Sequence, residues 1–316
     1  MRILATTAYP DAEPLGTLRR LASAGVRHSL TENVADADAI LFVEHSHYTD
    51  DPFFAKLKHH PWVRRYRDQV FMYNEHDRPW CSLPGIYCAM PLRSFDPRRQ
   101  VAVRYLRLLN PLVADPGASE PDVLFSFVGS SHVPLRRRIV ALRDPRAVIE
   151  DTSKFNAFYP TGITPEHRHY ADVLVRSKFI LCPRGAGTNT IRLFETLKAG
   201  RVPVIISDQW VAPQGPNWAS FSLRISEKCV DSIPAIIYDH ETRWPDMSSA
   251  ARQAWADWFS DEVLFDRIGD ALEMLVTRRQ IPEYLAQRLP SLGSLDWRLR
   301  VTGSRLKCAI RDHFGH

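Results

Sequence analysis

The chain has 316 residues, 45% hydrophobic and 24% charged, an ordinary globular composition with length for two domains of about 150 residues each. No repeat or low-complexity tract is present, which excludes fibrous and disordered classes. Seven Lys and 34 Arg leave a net charge of +5, suited to a diphosphate, an anionic acceptor or an anionic membrane surface. Nucleic acid is disfavoured, because the Arg residues are dispersed and no nucleic-acid-binding module shows its spacing. Along the chain, Arg2 to Thr7 reads as a strand, Leu15 to Ala24 as a helix, and Ala39 to Val43 as a second strand after Asp36 and Asp38. Helical spacing follows from Asp51 to His59 and from Pro61 to Arg67. Gln69 to Tyr73 then reads as a strand that opens onto Asn74-Glu75-His76-Asp77-Arg78-Pro79. Val123 to Val128 and Ala147 to Ile149 are further strands, with a basic helix from Val133 to Leu142 between them. This alternation predicts an α/β fold with parallel sheets covered by helices on both faces. The polar stretch DTSKFNAFYPTGITP, from Asp151, breaks the pattern ahead of a helix from Pro165 to Arg176, so a domain boundary is expected between residues 150 and 151. After a strand from Phe221 to Ile225 the chain reads as mainly helical.

The most informative block runs from Phe179 to Asp208, FILCPRGAGTNTIRLFETLKAGRVPVIISD, in which a strand, a glycine turn, a helix and a second strand follow without filler. The apolar run Phe179 to Cys182 ends at Pro183, and Gly185 and Gly187 beside Arg184 predict a turn that takes positive φ and brings backbone N–H groups to a ligand. From Thr188 and Asn189 the pattern turns helical, with Ile191, Phe194, Leu197 and Lys198 at three- and four-residue spacings and Gly200 as the stop. Val202 to Ile206 is a β-branched strand that delivers Ser207 and Asp208 to the edge holding the glycine turn, where open α/β sheets bind ligands. A glycine turn entering a helix N-terminus favours an anion. The spacing is neither GxxxxGK[ST] nor GxGxxG, which weakens a Walker-type ATPase and a simple dinucleotide reader. Arg192 and Glu195, three apart near the start of the helix, pair a cation for a diphosphate with a carboxylate for a ribose or sugar hydroxyl. The bland alternative is an ordinary ion pair on a helix surface.

The string SKFILCPRGAGTNTIRLFETLKAGRVPVIISDQWVAP, Ser177 to Pro213, resembles the C-terminal half of the exostosin family of glycosyltransferases. There a Ser-x-Phe-x-Leu-x-Pro-x-Gly segment leads to an Arg-x-x-Glu helix and a Gly-x-x-Pro-Val-Ile strand. With a weaker similarity of Leu124 to Arg138, the resemblance covers about a quarter of the chain. It implies a GT-B architecture, two Rossmann-like domains facing across a cleft: residues 1–150 on the acceptor side, 151–290 binding a nucleotide sugar, and 291–316, with a helical stretch around Trp297 to Phe314, returning to the first domain. It implies transfer from a nucleotide sugar, a UDP-sugar by resemblance, with inversion at the anomeric carbon. Arg184, Gly185, Gly187, Thr188, Asn189, Arg192, Glu195 and Asp208 then fall on the donor side. Retaining enzymes of this architecture often carry a Glu-x7-Glu pair; here the residue eight before Glu195 is Gly187, which agrees with inversion.

An inverting transfer needs a base for the acceptor hydroxyl. The loop Glu75-His76-Asp77, at the carboxyl end of a predicted strand, is the expected source, with Asp77 first, Glu75 second and His76 orienting or replacing either; plain turn chemistry is the alternative. Gly129, Ser130 and Ser131, followed by His132, stand where donor or acceptor contacts are expected, although a Ser helix cap explains them equally well. Lys154 is a further expected contact, with Phe155 and Tyr159 in the same segment, and Trp210, near Trp218, is one that would stack on a sugar or base unless it packs in the core. His167 and His169 read as solvent-side residues. No Asp-x-Asp pair lies in a credible loop, because Asp36 and Asp38 are far from the glycine turn, so no required divalent metal and no cofactor are expected. Cys81, Cys88, Cys182, Cys229 and Cys308 are scattered without a CxxC and read as buried thiols. The few apolar residues of MRILATTAYP are too short for a signal-peptide core and no run approaches the ~18 residues that span a bilayer, so a cytoplasmic protein of bacterial type, peripheral at most at the inner membrane surface, is expected. The expected partners are a nucleotide-sugar donor and a glycan or lipid-linked glycan acceptor. The alternatives are a nucleotide-sugar epimerase of the same fold and a non-catalytic partner subunit of another glycosyltransferase.

Overall fold

A computed structural model describes residues 1–9, 13–44, 51, 54–77, 79, 81–108, 110–117, 119–155, 162–280 and 282–286. The chain divides into two compact units, Met1–Val103 with the chain from Phe265 onward, and Arg104–Leu264. The first unit holds β1 (Arg2–Thr6), β2 (Ser29–Leu30), β3 (Ala39–Glu44), β4 (Val70–Asn74), β5 (Gly85–Tyr87) and β6 (Gln100–Val101), all parallel, in the order β2-β1-β3-β4-β5-β6. The second holds β7 (Val123–Gly129), β8 (Ala147–Asp151), β9 (Ser177–Pro183), β10 (Val202–Ile206) and β11 (Leu223–Arg224), also parallel, in the order β11-β10-β9-β7-β8. Both orders have one logic: the chain steps outward from its first strand, returns past it and continues the other way. In each sheet all carboxyl ends share one edge, and a crevice opens where the two strand exits turn in opposite directions. Those pairs are β1 with β3 and β7 with β9.

Helices cover both faces of such sheets, so their strands read as unbroken apolar runs. Leu41, Phe42, Phe125, Phe127, Phe179 and Val204 are all fully buried. The expected boundary at residue 150 is displaced for that reason. β7 registers against β9, with Phe125 opposite Phe179 and the Ser177 hydroxyl donating to Ser126 Oγ at 2.9 Å, so it is a central strand of the second sheet. Thr152 to Phe155, the described start of the polar stretch, follow the end of β8. The chain rejoins the first unit from Phe265, where the Asp266 carboxylate accepts the N–H groups of Val26, Arg27 and His28 at 3.1 Å. Residues 291–316, expected to make that return, lie outside the described residues, as do Tyr159 and Cys308. β2, β5 and β6, two or three residues long, carry no sequence signal of their own; β5 depends on Gly85, where a Cβ would sit 1.9 Å from the Met72 carbonyl oxygen. The strand expected from Phe221 to Ile225 is the shorter β11, Leu223–Arg224, with Phe221 ending a short helix, Trp218–Phe221. Among the described residues no helix is long and apolar enough to cross a membrane. Cys81, Cys88 and Cys182 are buried as expected, whereas Cys229 is exposed.

Helix Ile191–Lys198 ends as the glycine predicts. Gly200 takes φ 61°, its N–H reaches Leu197 O at 2.9 Å and the Arg201 N–H reaches Thr196 O at 3.0 Å, a double closure that turns the chain directly into β10. A Cβ at Gly200 would also lie 2.6 Å from the Arg252 side chain. Gly200→Ala is therefore expected to lower stability by about 1–2 kcal/mol, read as a fall in the urea midpoint at constant slope; an unchanged midpoint would contradict the positive-φ requirement.

Candidate functional site

In the second unit the crevice lies between the exit of β7, Gly129-Ser130-Ser131, and the exit of β9, Arg184 to Thr190, which runs into helix Ile191–Lys198. Two arginines tie these lips together. Arg192 donates through Nη2 to Val128 O at 2.6 Å, with its guanidinium 4.5 Å from the Phe127 ring centroid and 5.6 Å from that of Tyr170. Gly129 lets it approach, since a Cβ there would meet Nη2 at 2.4 Å. Arg136, on helix Pro134–Ala141, donates to Arg184 O at 3.1 Å, Pro183 O at 3.3 Å and Ser130 O at 3.5 Å. Gly185 faces it closely: a Cβ would lie 3.3 Å from Arg136 Nη2. Neither Gly185 nor Gly187 is among the positive-φ glycines, so Gly185 serves close approach of a guanidinium in place of the expected reversed turn. Arg136 was not singled out from the sequence; a basic residue in the first turn of the helix after a switch-point strand was the available signal.

The rim of the crevice is a set of paired polar groups. Arg184 Nε donates to Glu227 Oε1 at 2.8 Å, and that oxygen also accepts the Asp208 N–H at 3.2 Å. Asp208, exposed, accepts the Glu227 N–H at 3.1 Å and the Ser226 hydroxyl at 3.3 Å, fastening the exits of β10 and β11. Glu227 was missed because it lies beyond a two-residue strand. Thr188 O accepts the Ser207 hydroxyl at 2.7 Å, and buried Asn189 accepts the Thr190 N–H at 2.8 Å. Thr190 caps the helix without a side-chain bond, which leaves first-turn N–H groups available to an anion. At the other lip, Ser131 donates its hydroxyl to Asp151 Oδ2 at 2.6 Å and its N–H to Asp151 Oδ1 at 3.2 Å, and the Ser153 N–H adds a bond at 2.9 Å. Ser130 Oγ lies 3.1 Å from His132 Nδ1 and 3.3 Å from Ser153 Oγ, and exposed Lys154 follows.

Two expected contacts, and one residue expected at the surface, are placed elsewhere. Glu195 is 3% exposed and each of its oxygens accepts a bond, from the Asn110 N–H at 3.0 Å and the Tyr170 hydroxyl at 2.7 Å, so its carboxylate is inside the unit. Trp210 is 3% exposed and packs edge-on to Trp218 at 4.8 Å, which makes it core. His167 is buried in a capping box with Thr164, while His169 is exposed as expected, 2.7 Å from Glu150.

In the first unit Glu75 and His76 are half-buried and Asp77 is exposed, at the carboxyl end of β4, with the His76 N–H on Asn74 Oδ1 at 2.9 Å. The switch point itself is one strand away. There fully buried Glu44 accepts the Thr7 hydroxyl at 3.0 Å and the Ala8 N–H at 2.9 Å. A carboxylate closing the apolar run Ala39–Val43 was the overlooked signal. Among the described residues, His28, Asp270 and Glu273 are the group spaced for a cation, but Arg27 already lies 2.7 Å from Asp270 and His28 precedes β2, at the amino edge of the sheet. Asp36 and Asp38 are at that amino edge too, ahead of β3, where Asp38 accepts the Arg2 N–H at 2.6 Å.

A profile of the Exostosin GT47 domain matches residues 42–238. A probable glycosyltransferase of Arabidopsis thaliana is 29% identical over 149 residues, 45% of this chain and 27% of that protein. An Exostosin-1 homolog of Caenorhabditis elegans is 32% identical over 117 residues, 33% of this chain and 31% of that protein. The aligned region thus spans roughly a third or less of these relatives. WaaG, a glycosyltransferase involved in lipopolysaccharide biosynthesis, overlays 86% of this chain and 99% of its own at 13% identity and a TM-score of 0.40, a weak likeness.

The hydroxyl bonds of Ser131 and then Ser153 hold Asp151 at about 2, below the ordinary 3.8. A depressed carboxylate contributes fully above its ordinary value, and that contribution is lost as pH falls through about 2. Ser131→Ala is expected to raise the Asp151 value toward 3.8 in a side-chain carboxyl NMR titration; an unmoved titration would mean that the Ser131 bonds do not set it.

Proposed function

The chain belongs to the exostosin GT47 family, and from that membership we propose that it is a glycosyltransferase which moves a sugar from a nucleotide-sugar donor, a UDP-sugar by family resemblance, to a hydroxyl of a glycan or lipid-linked glycan. The observation that carries the reading is the crevice between β7 and β9. Helix N–H groups, the Ser130–Ser131 exit and Arg184 stand at one strand edge, with Arg136 and Arg192 behind them, so a diphosphate meets donors and positive charge together.

The transfer is direct displacement. The acceptor oxygen forms a bond to the anomeric carbon as the bond from that carbon to the diphosphate oxygen breaks, and the configuration inverts. The electron pair leaves with the nucleoside diphosphate, and the hydroxyl proton passes to a base from the Glu75-His76-Asp77 loop. Charge developing on the leaving group is met by the helix terminus and the arginines in place of a divalent ion. A cytoplasmic setting, with the +5 chain drawn to an anionic membrane face, belongs to the same reading.

UDP-, GDP- and dTDP-sugars, screened by thermal shift with and without EDTA, test the donor. One of them is expected to raise the melting temperature in both conditions, with about 2.7 kcal/mol of stabilisation at a hundredfold excess over its Kd. No shift from any of them removes the donor reading, and a shift lost with EDTA removes the metal-free one. For the base, Asp77→Ala or Glu75→Ala is expected to lower turnover about 10²–10⁴-fold while the donor-induced shift persists; full turnover in both variants moves the base elsewhere.

A further inference from the structure

Arg192 and Glu195 stand three apart on helix Ile191–Lys198, the spacing at which a cation and a carboxylate ordinarily pair. They do not pair. The guanidinium turns to Val128 O at 2.6 Å, its Nε and Nη1 are buried without a hydrogen-bond partner, and Glu195 turns to the Asn110 N–H and the Tyr170 hydroxyl. A half-buried cation with two buried, unpartnered donors one turn from a buried carboxylate will close on it unless something holds the two apart.

We propose that Tyr170 is a positioning residue: by occupying Glu195 Oε2 at 2.7 Å, with its ring 5.6 Å from the Arg192 guanidinium, it diverts the carboxylate and leaves Arg192 to lock the exit of β7 against the helix that opens the donor crevice. Burial, then the Glu195 charge, push the Tyr170 phenol well above its ordinary range, so it remains a donor to the carboxylate at every working pH. Asn110 completes the fixture. Its N–H holds Glu195 Oε1 at 3.0 Å while its side-chain amide donates to His167 O at 2.7 Å, one turn before Tyr170 on helix Pro165–Arg176. The Tyr170 hydroxyl bonds Glu195, away from the Val128 carbonyl that Arg192 holds. It acts through Arg192, whose hold on Val128 O places Gly129 to Ser131 opposite the glycine turn.

The consequence for a nucleoside diphosphate rests on the donor reading above, whereas the consequence for Arg192 does not. Tyr170→Phe keeps the ring and deletes the hydroxyl. Its crystal structure is expected to show Arg192 withdrawn from Val128 O and paired with Glu195. In the double variant Tyr170→Phe with Glu195→Gln the charge that draws Arg192 is gone, and Arg192 is expected back on Val128 O. If Arg192 stays on Val128 O in Tyr170→Phe, or stays away from it in the double variant, the assignment is overturned. Calorimetry with UDP, GDP and dTDP is expected to show about tenfold weaker binding of the preferred nucleotide by Tyr170→Phe, restored in the double variant, a recovery that simple loss of packing does not produce. Equal affinity in the wild type and Tyr170→Phe overturns the link to the donor site. A wild type that binds none of the three counts against the donor reading, and the crystal structures then decide the role of Tyr170 by themselves.

Discussion

The carboxyl edge of a parallel sheet ends in carbonyl groups with no next residue in the ladder to bond them, and the second unit answers that constraint with arginine. Val128 O, Pro183 O, Arg184 O and Ser130 O, on the two strand exits that turn opposite ways, accept from Arg192 and Arg136. A guanidinium carries five N–H donors in a fixed plane, so one side chain can satisfy carbonyls from separate loops and set the distance between them. Two consequences follow from the same bonds. The two strand exits are tied at a set distance, and the groups that tie them are positively charged.

The carboxylates near this edge behave as fasteners. Asp208 joins the exit of β10 to Ser226 and Glu227, Asp151 gathers Ser131 and Ser153, and Glu195 is drawn inward by Asn110 and Tyr170. Of the three only Glu195 is withdrawn from the edge, whereas Asp208 and Asp151 stay exposed on the rim. The aromatic residues divide in a similar way: Phe127 carries the Arg192 guanidinium on its face, while Trp210 and Trp218 pack edge to face with Phe221 and Phe259 behind them. Cation–π contact partly compensates Arg192 for the bonds that its Nε and Nη1 do not make.

The first unit repeats the strand order, and its switch point is closed by a different device. Glu44, at the end of β3, takes the Thr7 hydroxyl and the Ala8 N–H at the end of β1, so a carboxylate does there what guanidinium groups do in the second unit. The loop proposed to supply the base is one strand further along, after β4, on the same carboxyl edge.

What the sequence determined by itself is the local part. Helix Pro165–Arg176 and strand Val202–Ile206 have the bounds their residues announce, because Thr164 with Pro165 starts the one, and because Gly200, in the left-handed region, can end the preceding helix and feed the other. The place of the glycine segment between two buried strands was legible for the same reason, since its signals lie within a few residues of each other and the family motif is made of them, whereas the expected positive φ is found at neither Gly185 nor Gly187. Tertiary structure decided which strands are neighbours and which charges are inside. The helix pattern of Arg192 and Glu195 is equally compatible with a surface pair or a ligand site, and the outcome turns on Asn110, Val128 and Tyr170, which lie 85, 64 and 25 residues away from their partners along the chain. β7 likewise joins the second sheet through Ser177 and Phe179, beyond the reach of any periodicity in its own residues. Backbone conformation is set largely by nearest neighbours, whereas desolvation and charge depend on whatever the fold brings alongside.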